Sequence, residues 1–124
     1  MTAPCPLDIK LLQKTRMLEI QFDNHEKFVL PCEYLRVFSP SADVRTHGQS
    51  EGKLVAGKHD VNVIDIEAVG NYAIRLVFDD GHNTGIYSWE TLYDLALHYA
   101  VYWQRYLERL VAANASRFKS SSTN

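Results

Sequence analysis

The densest concentration of reactive side chains is Asp79-Asp80-Gly81-His82, two adjacent carboxylates and an imidazole split by one glycine. Such a group could hold a cation, or His82 could serve as a ligand or contact residue at the end of a turn. The plainer readings are a solvated acid pair and an exposed turn histidine. A second polar cluster comprises Arg36, Ser39, Ser41, Asp43, Arg45 and His47, suited to meeting a protein partner or a small anion. Its plainer reading has Ser39 and Ser41 capping local turns while Arg36 pairs with Asp43 at the surface. With Asp80 and His82 added, these six make the candidate interaction set.

Catalytic chemistry finds no such cluster. His25, His47, His59 and His98 are scattered and show no His-Glu-x-x-His spacing. His59 is followed directly by Asp60, the wrong offset for the His-x-Asp/Glu that opens the iron triad of oxygenases. Phosphate-cradling, nucleophile-elbow and dinucleotide glycine motifs are all missing from the sequence. The expectation is therefore a protein that is not an enzyme, with no catalytic residues and no cofactor.

His82 can only be placed by the elements around it. Tyr72, Ile74, Leu76 and Phe78 alternate with Ala73, Arg75 and Val77, the period of a strand with one buried face. Asp79, Asp80 and Gly81 then form a turn in which Gly81 is free to take positive φ, and Ile86, Tyr87 and Trp89 resume the apolar pattern. His82 therefore sits at a hairpin tip. Ser88 reads as a helix N-cap, with Glu90 in the first turn where the helix dipole favours an acid.

Upstream, Leu18, Ile20 and Phe22 line one side of a strand, Asp23-Asn24-His25 turns the chain, and Phe28 and Leu30 face inward from a second strand. Pro31 ends the pairing, and residues 33–37 read as one helical turn burying Leu35 and Val37. Residues 39–60, with Pro40, Gly48, Gly52 and Gly57, read as a long loop holding a short helical piece, a length associated with function or mobility. In residues 61–69 the alternation slips between Val61/Val63 and Ile64/Ile66/Ala68, which predicts a bulge near Val63. Gly70 and Asn71 read as a two-residue hairpin turn. After Ser88, Leu92, Ala96, Tyr99, Trp103, Tyr106 and Leu110 fall at helical spacing. An unbroken helix to Ala113 would span about 37 Å, so a break is expected near Leu97 to Tyr99. Asn114 suits a left-handed cap.

Trp89, Tyr99, Trp103 and Tyr106 are expected to pack in the core. Tyr93 and Tyr102 fall on other faces and admit a partner surface or a homodimer. The fold expected is α+β: a mainly antiparallel sheet of about five strands in hairpins, with a C-terminal helix packed on it. Residues 1–12 are expected to form a flexible arm, 13–115 a single domain and 116–124 a disordered serine-rich tail.

The chain of 124 residues is 46% hydrophobic and 23% charged, with a formal charge of −2, which suits a soluble globular domain and argues against a nucleic-acid binder. Its start, MTAPCPLDIK, lacks the basic and unbroken apolar regions of a signal peptide, and no apolar run is long enough to span a bilayer. Cys5 and Cys32 are too few for a disulfide framework. A cytoplasmic protein with reduced thiols is expected, with neither membrane nor nucleic acid among its partners.

The phrase LRVFSPSADVRTHG, followed by LVAGKHDVNVIDIEAVGNYAIRLVFDDGHNTGIYSWETLYDL, resembles the gamma-butyrobetaine hydroxylase-like N-terminal domain family, a domain of unknown function. The resemblance covers about residues 11–96. In larger hydroxylases this domain precedes a 2-oxoglutarate oxygenase domain, and a related one is appended to P-loop ATPases that handle iron–sulfur clusters. The resemblance thus implies a stand-alone accessory domain associated with iron–sulfur or metal enzymes. The hydroxylases' version carries a Cys-x-Cys-x2-Cys run and a later histidine, which resembles a zinc module. Here the three thiolate positions are Ser39, Ser41 and Val44, and only the histidine is retained, as His82. A serine hydroxyl stays protonated at neutral pH and is a poor zinc ligand, so no zinc site is expected. The competing expectation is zinc or iron held by His82 with ligands foreign to the family, such as Cys32 or carboxylates.

Overall fold

The computed structural model describes residues 4–39, 55–83 and 85–118. Its elements run β1 (Pro6–Leu12), β2 (Met17–Phe22), β3 (Lys27–Pro31), α1 (Cys32–Val37), β4 (Val63–Val69), β5 (Ala73–Phe78), β6 (Ile86–Ser88), α2 (Trp89–Leu97) and α3 (Tyr99–Ala112). The α+β class is as the sequence predicts, but the strands form two three-stranded antiparallel sheets, β1-β2-β3 and β4-β5-β6, in place of one sheet of about five. The sixth strand is β1, where the sequence suggested a flexible arm. Pro4 and Pro6 weaken the strand signal there, and the alternation of Ile9 and Leu11 is that of a half-covered outer strand packed on the core.

One apolar cluster joins the sheets. Leu18, Ile20 and Phe22 of β2, Leu30 of β3, and Tyr34 and Leu35 of α1 meet Val63 of β4, Ile74, Leu76 and Phe78 of β5, Tyr87 of β6, and Leu92 and Leu95 of α2. Each such side chain stabilises the fold by about 1.5–3 kcal/mol relative to an exposed one. Two polar bonds tie the sheets at their margin. The Gln13 side-chain amide donates to the Val63 carbonyl at 3.2 Å, and the Asn62 amide to the Gln13 carbonyl at 3.0 Å.

The predicted slip in β4 is a bulge. Val63 pairs with Phe78 and Asp65 with Val77, leaving Ile64 as the extra residue, 53% exposed. The following turn is longer than expected. Val69 pairs with Ala73, so Gly70, Asn71 and Tyr72 all lie in the loop, and Tyr72 is exposed where the alternation placed it on the buried face. Gly70 takes φ +56°, and a Cβ there would press within 2.8 Å of the Tyr72 ring.

Ser88 caps α2 as its type and position predict, its hydroxyl accepting from the Thr91 amide at 3.1 Å. Ser88→Ala should lower the unfolding free energy by about 1 kcal/mol, read as an unchanged m-value and a lower urea midpoint. The long helical pattern breaks at His98, as its length requires, and Asn114 adopts φ +57°. Beyond it, the Ser116 and Arg117 carbonyls accept from the Gly57 and His59 amides and the Arg117 side chain reaches Glu33, so the first residues of the stretch read as a disordered tail are held in place; residues 119–124 lie outside the described residues. Among the described residues no helix is long and apolar enough to cross a membrane.

Candidate functional site

The hairpin between β5 and β6 closes as a tight turn, with the Gly81 amide donating to the Phe78 carbonyl and the Phe78 amide to the His82 carbonyl. Gly81 takes φ +91°, the left-handed geometry that its place in the turn predicts. The turn sets the two acids to different tasks. Asp79 faces β4, its carboxylate accepting from the Asn62 amide at 3.1 Å. Asp80 folds back, one oxygen accepting from the His82 amide at 3.0 Å and the other from Arg36 Nε at 2.8 Å and Lys58 Nζ at 2.7 Å.

Asp80 is thus the anchor between three segments: α1, the hairpin tip and residues 57–59. Its side chain is 17% exposed. Burial pushes the carboxyl's pKa up, but the hydrogen bonds from Lys58, the His82 amide and Arg36, together with the Arg36 charge, outweigh it and hold the group at about 2. Beside this network lies an open cleft of about 400 Å³, counting space continuous with solvent, lined by Gly57, Lys58, Asp60, Val61, Asp79 and Asp80.

On the inner side of the same tip, His82 Nε2 lies 2.9 Å from Ser39 Oγ. Ser39 follows α1 and is 1% exposed. Gly85 allows this approach, since a Cβ at that position would fall 2.1 Å from Ser39 Oγ. Below it, the Tyr87 hydroxyl donates to the Leu35 carbonyl, and burial drives its pKa far above the ordinary range. The bond between Ser39 and His82 joins a serine and an imidazole, but the serine is enclosed, so the pair fastens α1 to the hairpin.

Of the eight candidate interaction residues, Arg36, Ser39, Asp80 and His82 are brought together. Ser41, Asp43, Arg45 and His47 lie outside the described residues, as does any pairing of Arg36 with Asp43. The acid that Arg36 meets is Asp80, distant in sequence, where the sequence suggested a neighbour. Three contributors carried no readable signal. Lys58 lies in the stretch that the sequence reads as a long loop, of which residues 40–54 are outside the described residues, Gly85 looks like an ordinary strand entry, and Tyr87 reads simply as a core aromatic. Tyr93 and Tyr102, placed by sequence on free faces, are partly buried against the core. Tyr93 packs edge-on against Phe22 and donates to Glu26, while Tyr102 reaches the Asp94 carboxylate.

The two positions that the resemblance assigns to one ligand set, Ser39 and His82, do meet, but they do not fit a zinc ion. The serine supplies a hydroxyl in place of a thiolate. Cys32 is buried and turned to Asn62 Oδ1 at 3.7 Å, and its burial raises the thiol's pKa, which opposes the thiolate a metal needs. Among the described residues no three His, Cys, Asp or Glu side chains are grouped as a metal would require.

Two structures determined in solution by NMR are similar to this chain over nearly its whole length. One is 49% identical, with 100% of this chain and 97% of that one covered and a TM-score of 0.82. The other is 36% identical, with coverages of 98% and 96% and a TM-score of 0.83. A crystal structure of a protein of unknown function from Acidithiobacillus ferrooxidans ATCC 23270, described as belonging to the DUF971 family, is 38% identical. It covers 73% of this chain and 91% of its own, with a TM-score of 0.61. No curated protein matches. The model of the family described as gamma-butyrobetaine hydroxylase-like, N-terminal, matches residues 9–93, well over half of the sequence, and the chain belongs to that family.

Proposed function

We propose that this protein is a non-catalytic accessory domain of the cytoplasm that recognises a protein partner through the face built from Arg36, Lys58, Asp80 and His82. The observation that supports this reading is the convergence of α1, residues 57–59 and the hairpin tip on one carboxylate, Asp80. Such a network fixes charged groups of both signs in a set geometry beside an open cleft, which suits selective polar recognition. Among the described residues, the serine that meets an imidazole, Ser39, is enclosed, which supports a binding role over catalysis. Family resemblance supports an iron–sulfur or other metal-dependent enzyme as the partner class.

The test is affinity capture from the native cell with the wild-type domain, Arg36→Ala and His82→Ala as baits, quantified by mass spectrometry. Both variants are expected to lose a common partner at least tenfold while keeping the wild-type circular dichroism spectrum. Retention of every partner by both would show that this face is not the recognition surface.

A further inference from the structure

Glu33 is a buried acid, 5% exposed, at the start of α1. Its carboxylate is met by a single guanidinium arriving from far along the chain. Arg117 Nε donates to Glu33 Oε2 at 2.9 Å and its terminal nitrogen to Oε1 at 2.8 Å, the bidentate geometry that distinguishes arginine from lysine. The guanidinium also lies 5.3 Å from the centre of the Trp103 ring. Two backbone donors complete the contact. The Gly57 amide donates to the Ser116 carbonyl and the His59 amide to the Arg117 carbonyl, each at 2.9 Å, and the Phe118 ring lies 4.4 Å from that of His59.

These contacts read a short peptide in three ways at once: a carboxylate and an aromatic face for an arginine side chain, main-chain amides for its flanking carbonyls, and an imidazole face for the aromatic residue that follows. The geometry points to Glu33, Trp103, Gly57 and His59 forming a recognition pocket for an arginine-bearing peptide, which residues 116–118 occupy within the same chain and from which a partner's segment can displace them. This goes beyond the face at Asp80 and stands without it. The two adjoin through α1, which carries both Glu33 and Arg36, and through residues 57–59, where Lys58 lies between the two amides that grip the segment.

The experiment uses the full chain carrying Arg117→Ala, so that the pocket loses its internal guanidinium. The probe is the acetylated, amidated pentapeptide of residues 114–118, Asn-Ala-Ser-Arg-Phe, followed by amide and indole NMR shifts. Saturable shifts at Gly57, His59 and the Trp103 indole are expected in the millimolar range, because the internal copy gains only from its tether. They should weaken at least tenfold when the peptide's arginine is replaced by alanine, or when the protein also carries Glu33→Gln. Equal responses to the two peptides would overturn the proposal. If the variant does not fold, hydrogen exchange of the wild-type protein decides. Gly57 and His59 amides should exchange through a local opening at least tenfold more often than Leu18 and Ile20 of β2, and exchange only in step with those strand amides would overturn it.

Discussion

Gly85→Ala is expected to lower the unfolding free energy by about 3 kcal/mol, the upper part of the range for forcing atoms into a filled interior. The added Cβ would lie 2.1 Å from Ser39 Oγ and 3.3 Å from the Tyr87 ring, and neither neighbour can yield cheaply. Ser39 is enclosed and joined to His82, while Tyr87 is fully buried and anchored on the Leu35 carbonyl. The contact can therefore be relieved only by separating the hairpin from the end of α1. Removing the offending hydroxyl makes the mechanism testable. In a Ser39→Ala background the nearest remaining Ser39 atom would be its Cβ at 3.4 Å, an ordinary contact. There the same glycine substitution should cost about 1 kcal/mol, a coupling of about 2 kcal/mol in a double-mutant cycle by urea denaturation. Equal costs in the two backgrounds would refute the account.

Asp80→Asn should cost about 2 kcal/mol at neutral pH, and the cost should vanish in acid. The folded carboxyl titrates at about 2 against an ordinary value of 3.8, so its ionised form is favoured by folding. That contribution is complete above the ordinary value, declines as pH falls from near 4 towards 2, and is gone once the folded group is protonated as well. A difference of nearly two pH units corresponds to about 2 kcal/mol, and the side chain is enclosed enough for water to screen little of it. Wild type and variant should therefore differ in urea midpoint at pH 7, with most of the difference gone by pH 2 and the rest below it. A constant difference across that range would mean that asparagine fails for reasons of shape alone.

What the sequence made legible follows from how local each signal is. The bulge at Ile64, the cap at Ser88, the break at His98 and the turn at Gly81 each depend on a few consecutive residues, and each could be read directly. Division into two sheets depends on which strands fail to pair, and alternation carries no information about that. β1 was obscured because this outer strand buries no residue fully, covering Ile9 and Leu11 only in part, and begins at a proline. At the site, the hairpin placed His82 and Asp80 correctly at its tip, and the serines after α1 stood out as a polar cluster. Lys58 could not be paired with Asp80, nor Arg117 with Glu33, because ion pairs closed across the fold leave no periodic trace. Gly85 carried a trace only in hindsight, as a residue without a side chain where a hydroxyl had to fit.

Arranging the six strands of the described residues as two ribbons has a consequence for how molecules of this protein meet one another. Among the described strands β1, β3, β4 and β6 each leave one flank unmatched, twice the number that a single sheet would expose. Every one is spoiled as a template for growth. β1 starts at Pro6 and loses register at Leu7, β3 stops at Pro31, β4 bends at Ile64, and β6 is only three residues long. A neighbouring chain trying to extend either ribbon would meet a missing donor, a shifted ladder or too short a rail, and this irregularity at the margins guards a small two-sheet protein against stacking into fibres.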